Sequence, residues 1–480
     1  MIQSAEIAFR KERHQRAIVK RIIVRGVLVL ETPTCLGSGD AESLTDLALL
    51  RDSISDRALL TGASIAGALR NYLREYEFNY NAAESNTSFA TALFGGMRSD
   101  DDGEQSPLIV DDSISRNVPA IELRDGVKID AEGIAKHQAK YDLELLAAGT
   151  EFPLNFELLI EAGNEQRLLS AIALALRGLE QGEIGIGMKK RRGFGRCRVN
   201  QWQVWKFDLR NASDRMAWLM FDHANRDQAE APIYSSIETG LEIKLDHVDQ
   251  RDRCCVDAVF RLASPLLIRS EAYSSERAPD AVHLKSFRAG ELKPVLSGTS
   301  LAGVLRHRAE RILRTLQQSD EMLSSLFGFV DENNKNAESS RLLIHESLIE
   351  GKTADLVQSR IAIDRFTGGT LQGALFDEQP LFGTDETFIR LQIELRCPKD
   401  REIGLLLLLL KDLWTGDLTI GGARSIGRGR LQGQSATLMV RSQGNLPRTW
   451  SIQQQGQTLA IEDARTLEQF VTAFVGEVAA

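Results

Sequence analysis

The 480-residue sequence predicts an α+β fold built from two tandem copies of one unit. Three observations carry this prediction. A glycine-rich stretch, GEIGIGMKKRRGFGR from Gly182, has a counterpart in GDLTIGGARSIGRGR from Gly416. Gly187 and Gly421, Gly193 and Gly427, Gly195 and Gly429, and Arg196 and Arg430 are each 234 positions apart. Upstream of each, LLTGASIAGALRNYL (Leu59–Leu73) matches VLSGTSLAGVLRHRA (Val295–Ala309), 236 positions apart. An offset held this closely across separate motifs is the mark of a duplicated domain.

Each unit opens on a β-branched run, RIIVRGVLVLE from Arg21 to Glu31 and CCVDAVFRLAS from Cys254 to Ser264, read as a first strand. Polar segments follow, Gly37–Leu60 and Ser270–Leu296, long enough for loops that carry function. A helix then starts at a Ser or Thr cap in each Leu59 and Val295 motif. Further matches come in the same order: Leu93-Phe94-Gly95 with Leu326-Phe327-Gly328, Ile109–Ser113 with Leu343–Ser347, and Val127–Asp130 with Ile361–Asp364. FPLNFELLI and FIRLQIELR read as strands, followed by helices at Gln166–Gln181 and Lys399–Thr415 and then by the glycine stretch. This order fits a ferredoxin-like unit of roughly 200 residues. The expected division is a first domain over 1–207, a linker over 208–240, a second domain over 241–440, and a tail over 441–480 with a short helix. The Gln-rich part of that tail, Gly444–Gly456, is expected to be exposed.

The formal net charge of −9 argues against a protein that coats nucleic acid non-specifically, but leaves room for a local basic groove. The five cysteines form no CxxC pair, which speaks against a zinc site. Their odd number, without a signal peptide, fits a reducing cytoplasmic setting. The longest apolar run, Ile403–Leu410, is too short to span a membrane.

The glycine stretches are the candidate binding elements. Gly187, Gly193 and Gly195 flank Lys189, Lys190, Arg191 and Arg192, with Arg196 beyond; Gly421, Gly422, Gly427 and Gly429 flank Arg424 and Arg428, with Arg430 beyond. Glycine admits positive φ and close backbone approach, and successive N–H groups in such a turn form an anion-binding concavity. With these cations the natural partner is phosphate; a solvated basic hairpin is the plain alternative. Neither a P-loop nor a dinucleotide fingerprint is present.

Taken together, the Gly-Ser/Thr helix starts with Ser64, Arg70, Ser300 and Arg306, the Leu-Phe-Gly and Ile-Asp segments and the glycine loops resemble the RAMP superfamily of CRISPR effector proteins. The closest likeness is to backbone subunits of type III (Csm/Cmr-like) complexes, and the tandem resembles the double-backbone fusion of type III-D-like complexes. The resemblance implies two RRM-like palms, thumb insertions within Asp130–Gly149 and Asp364–Gly383, and binding of guide RNA (crRNA) by Ser64, Arg70, Ser300, Arg306 and the glycine loops. It also implies complementary target RNA and other type III subunits as partners, with no membrane association.

An aspartate in the loop before the helix supports target cleavage in such proteins, which singles out Asp46 and Asp280, 234 positions apart. Either would hold a divalent metal, Mg²⁺ by its chemistry, or serve as a weak base toward a ribose 2′-OH. Asp40, Asp52 and Asp56 compete in the first loop, and Asp52 aligns with Ser286. His283 is expected as a surface histidine. Three functions stay open: a target-cleaving endoribonuclease subunit, a structural guide-binding subunit with one or both sites inactive, and a guide-processing endoribonuclease using His14. A phosphate-binding metabolic enzyme is a fourth.

Overall fold

The computed structural model of the chain describes residues 17–37, 48–96, 105–129, 135–224, 231–270, 279–331, 336–443 and 445–476. Among them, each unit builds an antiparallel sheet with two long helices. In the first sheet the strand order is Leu108–Val110, Glu151–Glu161, Ile18–Leu30, Cys197–Asp208, Ile233–Tyr234. In the second, Ser347–Glu350, Phe388–Arg396, Arg253–Leu262 and Leu431–Arg441 follow the same order. The opening strand thus lies between the third and the last, the ferredoxin-like arrangement. Val24 faces Phe156 on one side and Val204 on the other; Val256 faces Ile393 and Leu438.

The local reasons are legible. Along Arg253–Leu262 every second residue is buried, Cys254, Val256, Ala258, Phe260 and Leu262, as the pleat of a strand requires. The helices Gly62–Phe78 and Gly298–Thr315 start where Thr61 and Ser297 accept hydrogen bonds from the Ser64 and Ser300 N–H groups. The helix Glu165–Glu180 is rich in Leu and Ala and Asp400–Trp414 in Leu, and both lie buried along most of their length. No helix among the described residues is long and apolar enough to cross a membrane.

Two expectations about organisation need adjustment. Residues expected as a linker carry structure of the first unit. Helix Ala212–Met220 brings Trp218 over Arg21, Phe221 beyond it stacks on Arg25, and strand Ile233–Tyr234 joins the sheet. The tail is likewise part of the second unit. Strand Arg448–Gln455 pairs with Leu431–Arg441, burying Trp450 and Ile452 beneath a glutamine-rich outer face, so the expectation of a wholly exposed stretch does not hold. Helix Ala464–Val475 crosses Asp400–Trp414 at Gly404, where a Cβ would lie 2.1 Å from the Phe470 carbonyl oxygen.

The thumb insertions start earlier than expected. The first is a hairpin of Ile121–Ile129 and Ala135–Leu146. The second pairs Thr353–Asp355 with Leu381–Gly383 and Gln358–Arg360 with Phe376–Gln379, and holds 361–375 out from the body.

The two units are tied by polar contacts. Tyr80 Oη donates to Glu394, the Arg396 guanidinium pairs with Glu75 at 3.2 Å, and Arg124 of the first thumb reaches Glu346 at 3.0 Å.

Candidate nucleic-acid interface

The two glycine loops fold alike. Lys189 and Ala423 both take left-handed backbone, φ 55° and 59°, and each starts a single 3₁₀ turn, Lys190–Arg192 and Arg424–Ile426, closed by Gly193 and Gly427 at φ 90° and 84°. The other glycines serve the loops themselves. A Cβ on Gly195 would sit 1.9 Å from the Ile186 carbonyl oxygen, and on Gly429 1.8 Å from that of Ile420. On Gly187 and Gly421 it would meet the Cys35 and Leu267 carbonyls at 2.3 and 2.4 Å. These glycines permit the backbone to pass itself closely, rather than a ligand. Gly422 and Gly427 are the open ones: a Cβ on Gly427 meets nothing, and on Gly422 nothing closer than 3.5 Å.

The second loop borders a small sheet whose strands run in the order Arg269–Ser270, Ala281–His283, Phe376–Gln379, Gln358–Arg360. The base of the thumb thereby joins the loop that carries Asp280. That aspartate is exposed, and one carboxylate oxygen accepts the Asp377 N–H at 2.8 Å. Arg424 and Arg430 are exposed on the loop. Arg428 is not available to a phosphate. It is 4 % exposed and its guanidinium donates to Glu378 at 2.7 Å and to Gln358 at 2.6 Å. Glu378 gathers Arg269 and Arg360 as well, so a buried carboxylate locks the thumb strand onto the loop.

Arg269 is a cation that comparison of the repeats misses. Its side chain is 64 % exposed and lies against Gly422, the place that Gly37 takes beside Met188 in the first unit. A glycine and an arginine at matched positions give no repeat signal.

The first loop is engaged differently. Lys189 Nζ lies 3.9 Å from the centroid of the Tyr141 ring at the thumb base, a cation–π contact. Lys190 is exposed. Arg192 donates to the Phe327 carbonyl at 3.3 Å, and Arg196 pairs with Glu31 at 2.7 Å and donates to Gln392 at 3.1 Å. Burial lowers the pKa of Arg191 and Arg192, and the neighbouring Arg396 and Arg306 charges act the same way. Positive charge crowded and desolvated in this manner is relieved by an anion. The row of four cations expected on phosphate is therefore split between solvent, an aromatic ring and the second unit.

At the helix starts, the Ser64 and Ser300 hydroxyls meet those of Thr61 and Ser297 at 2.9 Å, so the repeated serine belongs to the helix cap. Arg70 is held by Glu84 at 2.7 Å and donates to the Gly96 carbonyl; Arg306 donates to the Gly328 carbonyl at 3.1 Å. These arginines close the turn after the Leu-Phe-Gly segment.

Asp46, its competitor Asp40 and His14 lie outside the described residues. Asp52 accepts from the Ser55 N–H and hydroxyl, and that hydroxyl holds its pKa below the ordinary carboxylate value. His283 corrects the expectation of a surface side chain: it is 2 % exposed, and its Nδ1 accepts the Ile268 N–H at 3.3 Å. Burial holds its pKa down at about 4, so it is neutral at physiological pH.

Among the described residues no three His, Cys, Asp or Glu side chains form a ready metal cluster. Asp280 suits one bond to a hydrated divalent cation, the remaining ligands being water and phosphate.

In comparison with known proteins, the model of the RAMP superfamily matches residues 27–198 and 259–432, a region of each unit from its first strand through its glycine loop. No curated protein matches the chain.

Proposed function

The chain belongs to the RAMP superfamily of CRISPR-associated RNA-binding proteins, and on that premise we propose that it is a double backbone subunit of a type III complex. It binds guide RNA along both palms and cuts complementary target RNA at two aspartate sites, Asp46 and Asp280, with a divalent ion, Mg²⁺ by its chemistry. The observation that carries this reading is the position of Asp280. It is an exposed carboxylate hydrogen-bonded to the thumb strand, at the end of a small sheet that carries Arg269 and is bordered by the loop with Arg424 and Arg430, cations open to an RNA backbone. Cleavage by a 2′-OH needs its attacking and leaving oxygens in line, and a thumb that splays the bases next to a carboxylate serves that geometry.

The test is a count of products. A labelled target complementary to the bound guide should be cut at two positions assigned to this subunit when Mg²⁺ is present. Asp46→Ala should remove one product and Asp280→Ala the other, each by orders of magnitude, while Asp52→Ala leaves both. Two cuts persisting in the Asp46→Ala/Asp280→Ala variant would rule out these aspartates.

A second reading, in which only one palm cuts, is favoured by the asymmetry of the two loops. Ser286, aligned with Asp52, is fully buried and donates to Glu122 of the first thumb. One cut in the wild type, lost with a single aspartate, would support it.

A further inference from the structure

Each thumb is pinned to the glycine loop of its own unit at one matched place, by different chemistry. The pairings give the match. Leu30 faces Cys197, and Leu262 faces Leu431. Four residues on, Thr34 bridges Leu146 of the first thumb and Leu266 bridges Leu381 of the second. Three residues before those thumb leucines stand Leu143 and Glu378; three before Cys197 and Leu431 stand Phe194 and Arg428. In the first unit Leu143 and Phe194 are buried in one apolar cluster with Leu145 and Cys35. In the second, Glu378 and Arg428 form a buried ion pair at 2.7 Å. The residue before each thumb position is the same in both, Asp142 and Asp377. The apolar pair and the ion pair are exchanged whole, because either partner changed alone would strand a buried charge.

In the second unit this pin controls Asp280. Strand Phe376–Gln379 runs parallel to Ala281–His283, with Ala281 beside Glu378. Asp280 stands just before that pairing, and its Oδ2 accepts the Asp377 N–H at 2.8 Å. One carboxylate oxygen is thereby tied to the thumb backbone. The donor belongs to the residue next to Glu378, so the side chain that Arg428 holds sets where the donor stands. The other arm of the Arg428 guanidinium donates to Gln358 at 2.6 Å, which holds the neighbouring thumb strand to the loop as well.

We propose that Glu378 is a positioning residue for the cut assigned to Asp280. Through Arg428 it fixes the thumb strand on the glycine loop, and the Asp377 N–H then orients the Asp280 carboxylate. Leu143 on Phe194 pins the first thumb at the same place. Glu378 touches no RNA itself, being buried among Arg269, Arg360 and Arg428. The inference rests on the reading of Asp280 as the residue that supports this cut.

The test transplants the first pin into the second unit. Wild type, Glu378→Leu, Arg428→Phe and the double variant are assembled on guide RNA, and each product of a complementary target is timed with Mg²⁺ at saturating target. Each single variant should slow the Asp280-dependent cut by at least about tenfold, since a misplacement of about 1 Å can cost about a hundredfold. The target concentration giving half the maximal rate should not change. Nor should the product assigned to Asp46, which reports that the same chain is folded and loaded. A role in folding alone would not split the two products in this way. Glu378→Leu/Arg428→Phe should recover most of the rate, with the partly exposed Arg269 and Arg360 turning to solvent. If a single variant loses both products, Glu378→Gln, which keeps an acceptor for Arg428, takes its place and is judged by the same split. Single variants at full rate, or a double variant as slow as they are, would overturn the proposal. Asp280→Ala separates the two failures. A second product that survives it, or that the wild type never makes, refutes the reading of Asp280 and this inference with it. A product lost in Asp280→Ala yet indifferent to Glu378 refutes the inference alone.

Discussion

Gly195 and Gly429 show how a correct signal in the sequence can point to the wrong cause. Both have positive φ, and both lie where a Cβ would strike a carbonyl of their own loop. Gly195→Val and Gly429→Val should therefore lose folding stability, or fail to fold, before any effect on RNA is measurable. Gly427→Ala should cost only about 1 kcal/mol of left-handed strain in a denaturant titration. Sequence reveals that a glycine is required but not what approaches it, because self-contact and ligand contact impose the same demand. His283 gives a second test at this scale. Its folded pKa, about 4, lies below the ordinary value of 6.5, so the unfolded chain binds the proton more readily. Stability from this group is complete above pH 6.5 and falls as the pH drops toward 4, by up to about 3 kcal/mol. His283→Asn, which keeps an acceptor for the Ile268 N–H, should flatten stability against pH across that window; an unchanged slope would refute the assignment.

The elements were legible where one pattern decided them. Arg253–Leu262 is a β-branched and apolar run whose burial alternates, and helix Asp400–Trp414 sets a leucine run between charged ends, so both stand near their expected bounds. The region before Gly240 and the glutamine-rich tail were not legible, because a two-residue edge strand and a strand with a polar outer face both read as linker. Nor did the sequence reveal that Arg428 turns inward, since its partner Glu378 lies 50 positions away in the thumb. This pair carries a prediction for the element. Glu378 is 1 % exposed and Arg428 4 %, so Glu378→Ala strands a buried cation and should cost about 3–5 kcal/mol. Hydrogen exchange should rise first in Gln358–Arg360 and Phe376–Gln379, the thumb strands that this carboxylate holds. Protection unchanged in those strands would show that the thumb is fixed by other contacts.

At the scale of the molecule, the duplication was the most legible feature, and the joint between the units the least. Repeats announce themselves by constant spacing, whereas the seating of Arg192 against Phe327 depends on contacts no local pattern encodes. That joint changes the expected electrostatics of RNA binding. Lys190, Arg424 and Arg430 are exposed, while Arg192, Arg196 and Arg428 are engaged by protein. Replacing the three exposed cations by Ala should flatten the salt dependence of guide binding by up to about 2 units, at about 0.7 per phosphate. Arg196→Ala should leave that slope almost unchanged. The central claim is that one chain lays a guide RNA across two equivalent palms. Its most direct test is to sequence and footprint the RNA that co-purifies with the chain from its own cells. The account predicts a uniform short guide, protected along one continuous stretch with two equally shaped interruptions, one at each thumb. Heterogeneous RNA, no RNA, or protection confined to one unit would contradict it.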